Sequence, residues 1–176
     1  YGFQAGRFSV SRDEVFSWVK VIFNGIDARE KRLVEAACLL GDIGWPEHPD
    51  YRAMHSFTRV LRLPIAGITH RERVILALSI YHRYDGNEYG QEITIATKLI
   101  DQKDRNLAFI LGSVLKLAHK LSGGVPELLI QTKLVKTENG YLVDFSNNEH
   151  LFHTKYVANL VSKINREIRS SDFWQN

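Results

Sequence analysis

The stretch AACLLGDIGWPEH, residues 36–48, decides how the chain folds. Leu33, Ala36, Ala37 and Leu40 recur at helical spacing and run into Gly41-Asp42, after which Ile43-Gly44-Trp45 breaks the period. Gly41 reads as a helix end, and Asp42 as a capping or structural carboxylate at a helix junction. Upstream, Asp27-Ala-Arg-Glu30 supplies the matching start: a short oxygen side chain takes an orphan amide, and the Glu three residues on reaches back. The same signature recurs at Ser11-Arg-Asp-Glu14, Thr69-His-Arg-Glu72 and Ser146-Asn-Asn-Glu149.

Apolar residues follow two of these starts at helical spacing: Val15, Trp18, Val19 and Ile22, then Val74, Ala77, Leu78 and Tyr81. Asp104 starts another helix, with Phe109, Ile110, Ser113, Leu117 and Leu121 on one side and Gly123-Gly124 as its stop. A shorter helix spans Tyr51 to Leu61 and ends before Pro64. Residues 84–98, with Asp85-Gly86-Asn87, read as a loop carrying at most a short helix. Between 128 and 145 the helical rhythm fails. LLIQTKLV and YLVDF flank Thr137-Glu-Asn139-Gly140, and Asn-Gly is the strongest short hairpin signal. Helical spacing returns at Leu151, Tyr156, Leu160 and Ile164. The expected fold class is all-α, six or so helices with one small β-hairpin near residues 128–145.

The chain has 176 residues, enough for one domain with a buried core. Its 44% hydrophobic and 24% charged content is ordinary for a globular protein, and the net charge is only +3. Cys38 is the single cysteine, set among Ala36, Ala37, Leu39 and Leu40, so an inert buried thiol is expected and a disulfide framework is excluded. A reducing cytoplasm fits best. No apolar run approaches the roughly 18 residues of a membrane span, and no signal peptide is visible. The first residue is Tyr rather than Met, which reads as a fragment or a processed product.

Several pieces in order resemble the C-terminal domain of the exopolyphosphatase and guanosine pentaphosphate phosphohydrolase family. Tyr1-Gly-Phe-Gln-Ala-Gly-Arg-Phe is similar to the "GLREG" end of that family's second actin-like domain. Ala36-Ala-Cys-Leu-Leu-Gly-Asp-Ile-Gly44 is similar to its "AA-L-HDIG" helix end. Met54-His55-Ser56, Ile80-Tyr81-His82-Arg83 and Val114-Leu-Lys-Leu-Ala-His119 resemble its "HS", "YHR" and "RLAD" segments. The resemblance covers residues 1–125. It implies residues 1–9 as the tail of a preceding actin-like domain or a linker, and residues 10–176 as an HD-like C-terminal helical domain. It further implies a parent that releases the terminal phosphate of polyphosphate or guanosine pentaphosphate, with its phosphate loops, catalytic carboxylate and Mg²⁺ in the N-terminal actin-like domains. This chain has no phosphate loop of its own, since Gly123-Gly124 is followed by Val-Pro rather than Lys-Ser/Thr.

An HD-type metal site needs His, then His-Asp, then a late Asp. Laid on this chain, those slots fall on Ser11, Gly41-Asp42 and His119. Only Asp42 is retained, and one carboxylate is a poor metal site. No metal, no cofactor and no catalytic residue are expected in the chain itself. His48, His55, His70, His82 and His119 lie on separate elements, each more simply a surface or hydrogen-bonded histidine. The basic residues carry more promise. Lys116, His119 and Lys120 share a helix face at i, i+3, i+4, and His82-Arg83 ends another helix, with Arg71 and Arg73 earlier on it. His82, Arg83, Lys116, His119 and Lys120 are therefore the candidate polyphosphate-binding residues, because a polyanion is held by positive charges spread along a groove. Aromatic interleaving looks thin there, which disfavours nucleic acid.

The expected function is that of an accessory domain contributing polyphosphate binding and dimerisation to the parent. One rival is an active HD-type metal-dependent nucleotide phosphohydrolase, which a carboxylate in the late slot would support and His119 does not. The other is a pure protein-interaction module using Trp18, Trp45, Trp174 or the last helix.

Overall fold

The computed structural model describes residues 12–86, 90–125, 127–145 and 155–171. Two of the local start signals close fully. The Asp27 carboxylate accepts from the Glu30 amide at 2.7 Å, and Glu30 accepts from the Asp27 amide at 3.1 Å. Thr69 Oγ1 and the Glu72 carboxylate exchange the same pair of bonds at 3.2 and 2.6 Å. Such reciprocal caps satisfy orphan amides of the first turn. The boxes expected at Ser11 and Ser146 lie outside the described residues.

From these starts come α1 (Arg12–Val19), α2 (Ala28–Leu40), α3 (Pro49–Arg62), α4 (His70–Arg83), α5 (Gln91–Thr97), α6 (Gln102–Ser122) and, after the hairpin, α7 (Lys155–Ser170). The hairpin strands are β1 (Lys133–Thr137) and β2 (Gly140–Asp144), entered through a 3-10 turn at Leu129–Gln131. The architecture is thus all-helical with one antiparallel hairpin. Several boundaries move from those expected. α3 begins earlier, with Pro49 inside its first turn and the His48 ring accepting from the Asp50 amide. α6 is capped by Asp101, which accepts from the Asp104 amide at 2.9 Å, so Asp104 lies in the first turn instead of starting the helix. The loop after Tyr84 does contain a short helix, α5.

α4 is the axis of the molecule. Every residue from Val74 to Arg83 is buried, so from Val74 on this helix has no solvent face, and α2, α3 and α6 pack around it. Its closest partner is α6, and Gly112 makes that closeness possible. A Cβ there would lie 2.4 Å from the Ser79 carbonyl oxygen and 2.7 Å from His82 Cβ. Phe57, Leu76, Ile80, Ile110, Leu111 and Leu115 fill the space around this crossing. α6 ends as expected at Gly123, whose left-handed φ of 59° turns the chain and lets its amide bond the His119 carbonyl at 3.0 Å.

α7 lies on α6 and β2 through Val157, Leu160 and Ile164. Tyr156, expected on that apolar face, is one residue off it and 43% exposed, while Leu151 lies outside the described residues. The hairpin turns where expected, at Thr137-Glu138-Asn139-Gly140, with Thr137 paired to Gly140 and Glu138-Asn139 as the loop. α7 supports this turn. The Asn165 amide accepts from the Tyr141 amide at 2.8 Å and donates to the Tyr141 carbonyl at 2.7 Å, as a neighbouring strand would. A Cβ on Gly140 would sit 2.6 Å from Asn165 Oδ1, so the glycine serves this approach as well as its own φ of 129°.

Candidate functional site

Three chain turns meet beside the C-terminal ends of α4 and α6. They are the loop from Gly41 to Glu47, the turn Tyr84-Asp85 after α4, and the first turn of α7. With the start of α3 they enclose a cleft of about 540 Å³, within the range of small-ligand sites. Arg52, Arg83, Lys116, His119 and Lys120 line it, together with Trp45, Tyr84, Asp85 and Tyr156.

Arg83 and His119 form the floor. Both are buried, and Arg83 Nη2 donates to the Asp42 carboxylate at 3.0 Å. His119 Nδ1 lies 3.9 Å from the same oxygen. Gly41 completes the cluster, since a Cβ at that position would stand 2.8 Å from His119 Nε2. Three of the four positions matched to metal-ligand slots therefore do come together: Gly41, Asp42 and His119. Ser11, the fourth, lies outside the described residues. Where a metal would need ligands, the Asp42 carboxylate instead faces a guanidinium, which supplies its countercharge. Tyr84 ties the loop to α4. Its hydroxyl accepts from the Gly44 amide at 3.2 Å and donates to the Gly41 carbonyl at 3.3 Å, and burial pushes its phenol pKa up.

The walls carry cations against rings. The Arg52 guanidinium is 4.7 Å from the Trp45 ring centre and 5.7 Å from that of Tyr84, and Arg83 is 4.4 Å from Tyr84. Across the cleft, the Lys116 and Lys120 ammonium groups lie 5.2 and 5.3 Å from the Tyr156 ring. These are cation–π distances. Lys116 also pairs with Asp85. Burial pulls its pKa down, but the bonds to Asp85 and Tyr156 more than offset that, leaving it above the ordinary lysine value. The aromatic residues judged thin in the sequence are thus present, supplied by other elements.

His82 is not in the cleft. It is buried against Phe109 and Tyr81, with ring centres 5.3 and 5.9 Å away, and burial, with Lys163 nearby, lowers its pKa to about 4. Arg71 and Arg73 face elsewhere. Arg71 pairs with Asp101 and Asp104 at 2.5 Å, and Arg73 donates to the Leu63 and Ile65 carbonyls. His48 and His55 are exposed on one helix, as the N-cap of α3 and within it, and His70 is exposed at the start of the helix that also carries His82, so these histidines do not lie on separate elements as expected. Among the described residues, no three His, Cys, Asp or Glu side chains gather as a metal ligand set. Cys38 is buried, and its thiol is pushed up to about 12 by that burial. Trp18 is buried and donates to Thr132 at 3.0 Å, so of the tryptophans considered for a partner Trp45 alone lines the cleft, while Trp174 lies outside the described residues. No helix among the described residues is long and apolar enough to cross a membrane.

Sequence reasoning missed Arg52, Tyr84, Asp85 and Tyr156 as cleft residues, and named Trp45 only as a tryptophan for a protein partner. Only Tyr84 and Asp85 carried a local hint, as direct neighbours of His82-Arg83. Comparison with known proteins bears on this arrangement. None of the individually curated proteins compared with the chain matches it. The family model described as exopolyphosphatase, C-terminal, matches residues 12–154. That span holds α1 to α6, the hairpin and all the cleft residues named above but Tyr156, and the chain belongs to the exopolyphosphatase C-terminal domain family.

Proposed function

We propose that the chain is a non-catalytic accessory domain, HD-like in topology, whose cleft binds polyphosphate for its parent phosphohydrolase. The observation that carries this reading is the convergence of Arg52, Arg83, Lys116 and Lys120 on one cleft in a protein whose net charge is only +3. Asp85 in the wall and Asp42 behind Arg83 offset part of that charge, as do the electronegative C-terminal ends of α4 and α6. A surplus of cations remains. The rings favour the same ligand class, because Arg52 and Arg83 lie over Tyr84, and Lys116 and Lys120 over Tyr156. They orient cations, which suits a bare chain of phosphates better than the stacked bases of a nucleic acid.

Mg²⁺ does not fit here. It asks for several oxygen ligands in octahedral array, and the Asp42 carboxylate is already matched by Arg83. The metal and the hydrolytic step belong, in this reading, to N-terminal actin-like domains. There water attacks the terminal phosphoanhydride of polyphosphate or guanosine pentaphosphate. The domain also contributes to dimerisation of the parent, in the cytoplasm.

The test is a titration of the chain with long-chain polyphosphate at two salt concentrations. Each neutralised phosphate releases counterions, so affinity should fall steeply with salt. Lys116→Ala with Lys120→Ala should lower both the affinity and the salt slope, by about one to two in slope. Equal binding by wild type and double variant would return the lysines to an ordinary solvated surface.

A further inference from the structure

Arg52, near the start of α3, lines the cleft, and the helix runs on from there. Arg52, His55, Arg59 and Arg62 follow at intervals of three, four and three residues, which puts them in one stripe along the helix. Ten residues of helix carry the stripe about 15 Å on from Arg52. His55, Arg59 and Arg62 line a second hollow of about 500 Å³ together with Glu47.

Glu47 joins the two hollows. Its carbonyl accepts from Arg52 Nε at 3.1 Å, and its carboxylate accepts from Arg59 at 2.8 Å and meets His55 Nδ1 at 2.9 Å. Most other bonds of these arginines run to uncharged carbonyls: Arg52 to that of Trp45, and Arg59 to that of Ile43. A carbonyl fixes a guanidinium without cancelling its charge. Of the three arginines Arg59 alone pairs with the Glu47 carboxylate, so the stripe keeps a cationic surplus, with Arg52 and Arg59 fixed by carbonyls and Arg62 exposed at its far end.

We infer that α3 is a second segment of the polyanion site, along which a long polyphosphate chain leaving the cleft is led over Arg59 and Arg62. This rests on the reading of the cleft given above. A consequence separates the two. Short polyphosphate fills the cleft alone, whereas only long chains reach Arg62, so the far end of α3 should matter for length and not for binding as such.

The experiment compares tripolyphosphate with long-chain polyphosphate on the wild type, Arg62→Gln and Arg62→Glu. Arg62 is exposed at the helix end, and Gln keeps helix propensity, so the fold should be unaffected by circular dichroism and thermal melting. Arg62→Gln should weaken long-chain binding about three- to tenfold and lower its salt slope by about one. Arg62→Glu should weaken it further, and tripolyphosphate binding should stay within error for both. Loss that is equal for both ligands, or no loss with the long chain, overturns the inference. Failure of the cleft itself would register differently, as tripolyphosphate binding indifferent to Lys116→Ala with Lys120→Ala.

Discussion

Gly41 shows how one side chain's absence can shape a site. Its backbone is ordinary right-handed helix, with φ of −53° and ψ of −28°, so conformation does not demand glycine there. Alanine would even favour the helix by up to about 1 kcal/mol. What excludes it is His119, whose Nε2 would stand 2.8 Å from the new Cβ and which is itself buried. Gly41→Ala should therefore cost about 1–3 kcal/mol by overpacking. The same change made in a His119→Ala background should be neutral or stabilising, giving a coupling of at least about 1 kcal/mol between the two positions. Urea denaturation of the four proteins measures it. Additive effects would mean that Gly41 and His119 do not share the contact.

At the scale of elements, hairpin and last helix hold each other by Asn165. Substituting Asn165→Ala removes both bonds to Tyr141 and exposes an edge of β2. Water can reach part of this site, so the loss should be about 1–2 kcal/mol, with faster hydrogen exchange confined to β2 and α7. Exchange accelerated evenly over all helices would sink the idea that the two elements are coupled locally. The case also explains what sequence could reveal. Asp27–Glu30 and Thr69–Glu72 were legible because cap and partner are three residues apart. The hairpin turn was legible too, but its support was not, because Asn165 reaches Gly140 and Tyr141 from α7, twenty-four residues from Tyr141. Tyr156 was misassigned to the apolar face for a related reason: helical period alone does not say where that face begins.

The whole molecule brings together what no window of sequence contains. Lys116, His119 and Lys120 were visible as a group because one helix face carries them, whereas Arg52, Trp45 and Tyr156 join them only once α2, α3, α4, α6 and α7 are packed. That packing has its own signature in the acid stability of the protein. His82 is buried at the α4–α6 crossing with its pKa lowered to about 4 from 6.5, mainly by that burial. The unfolded chain then takes up a proton before the folded one, so stability should fall as pH drops from about 6.5 to about 4. Glu72 is held down to about 2 from 4.5, first by the Thr69 amide, then by Thr69 Oγ1 and Arg29. Its contribution is complete above about 4.5 and lost as pH falls towards about 2. Shifts of this size are worth on the order of 3 kcal/mol each, somewhat less for Glu72 because Arg29 is 43% exposed. Melting temperatures of the wild type, His82→Gln and Glu72→Gln from pH 7 to pH 2 separate the two windows. His82→Gln should flatten the upper one and leave the lower, and Glu72→Gln should do the reverse. A single acid transition unchanged by either substitution would show that neither group is held in the folded state as its surroundings require.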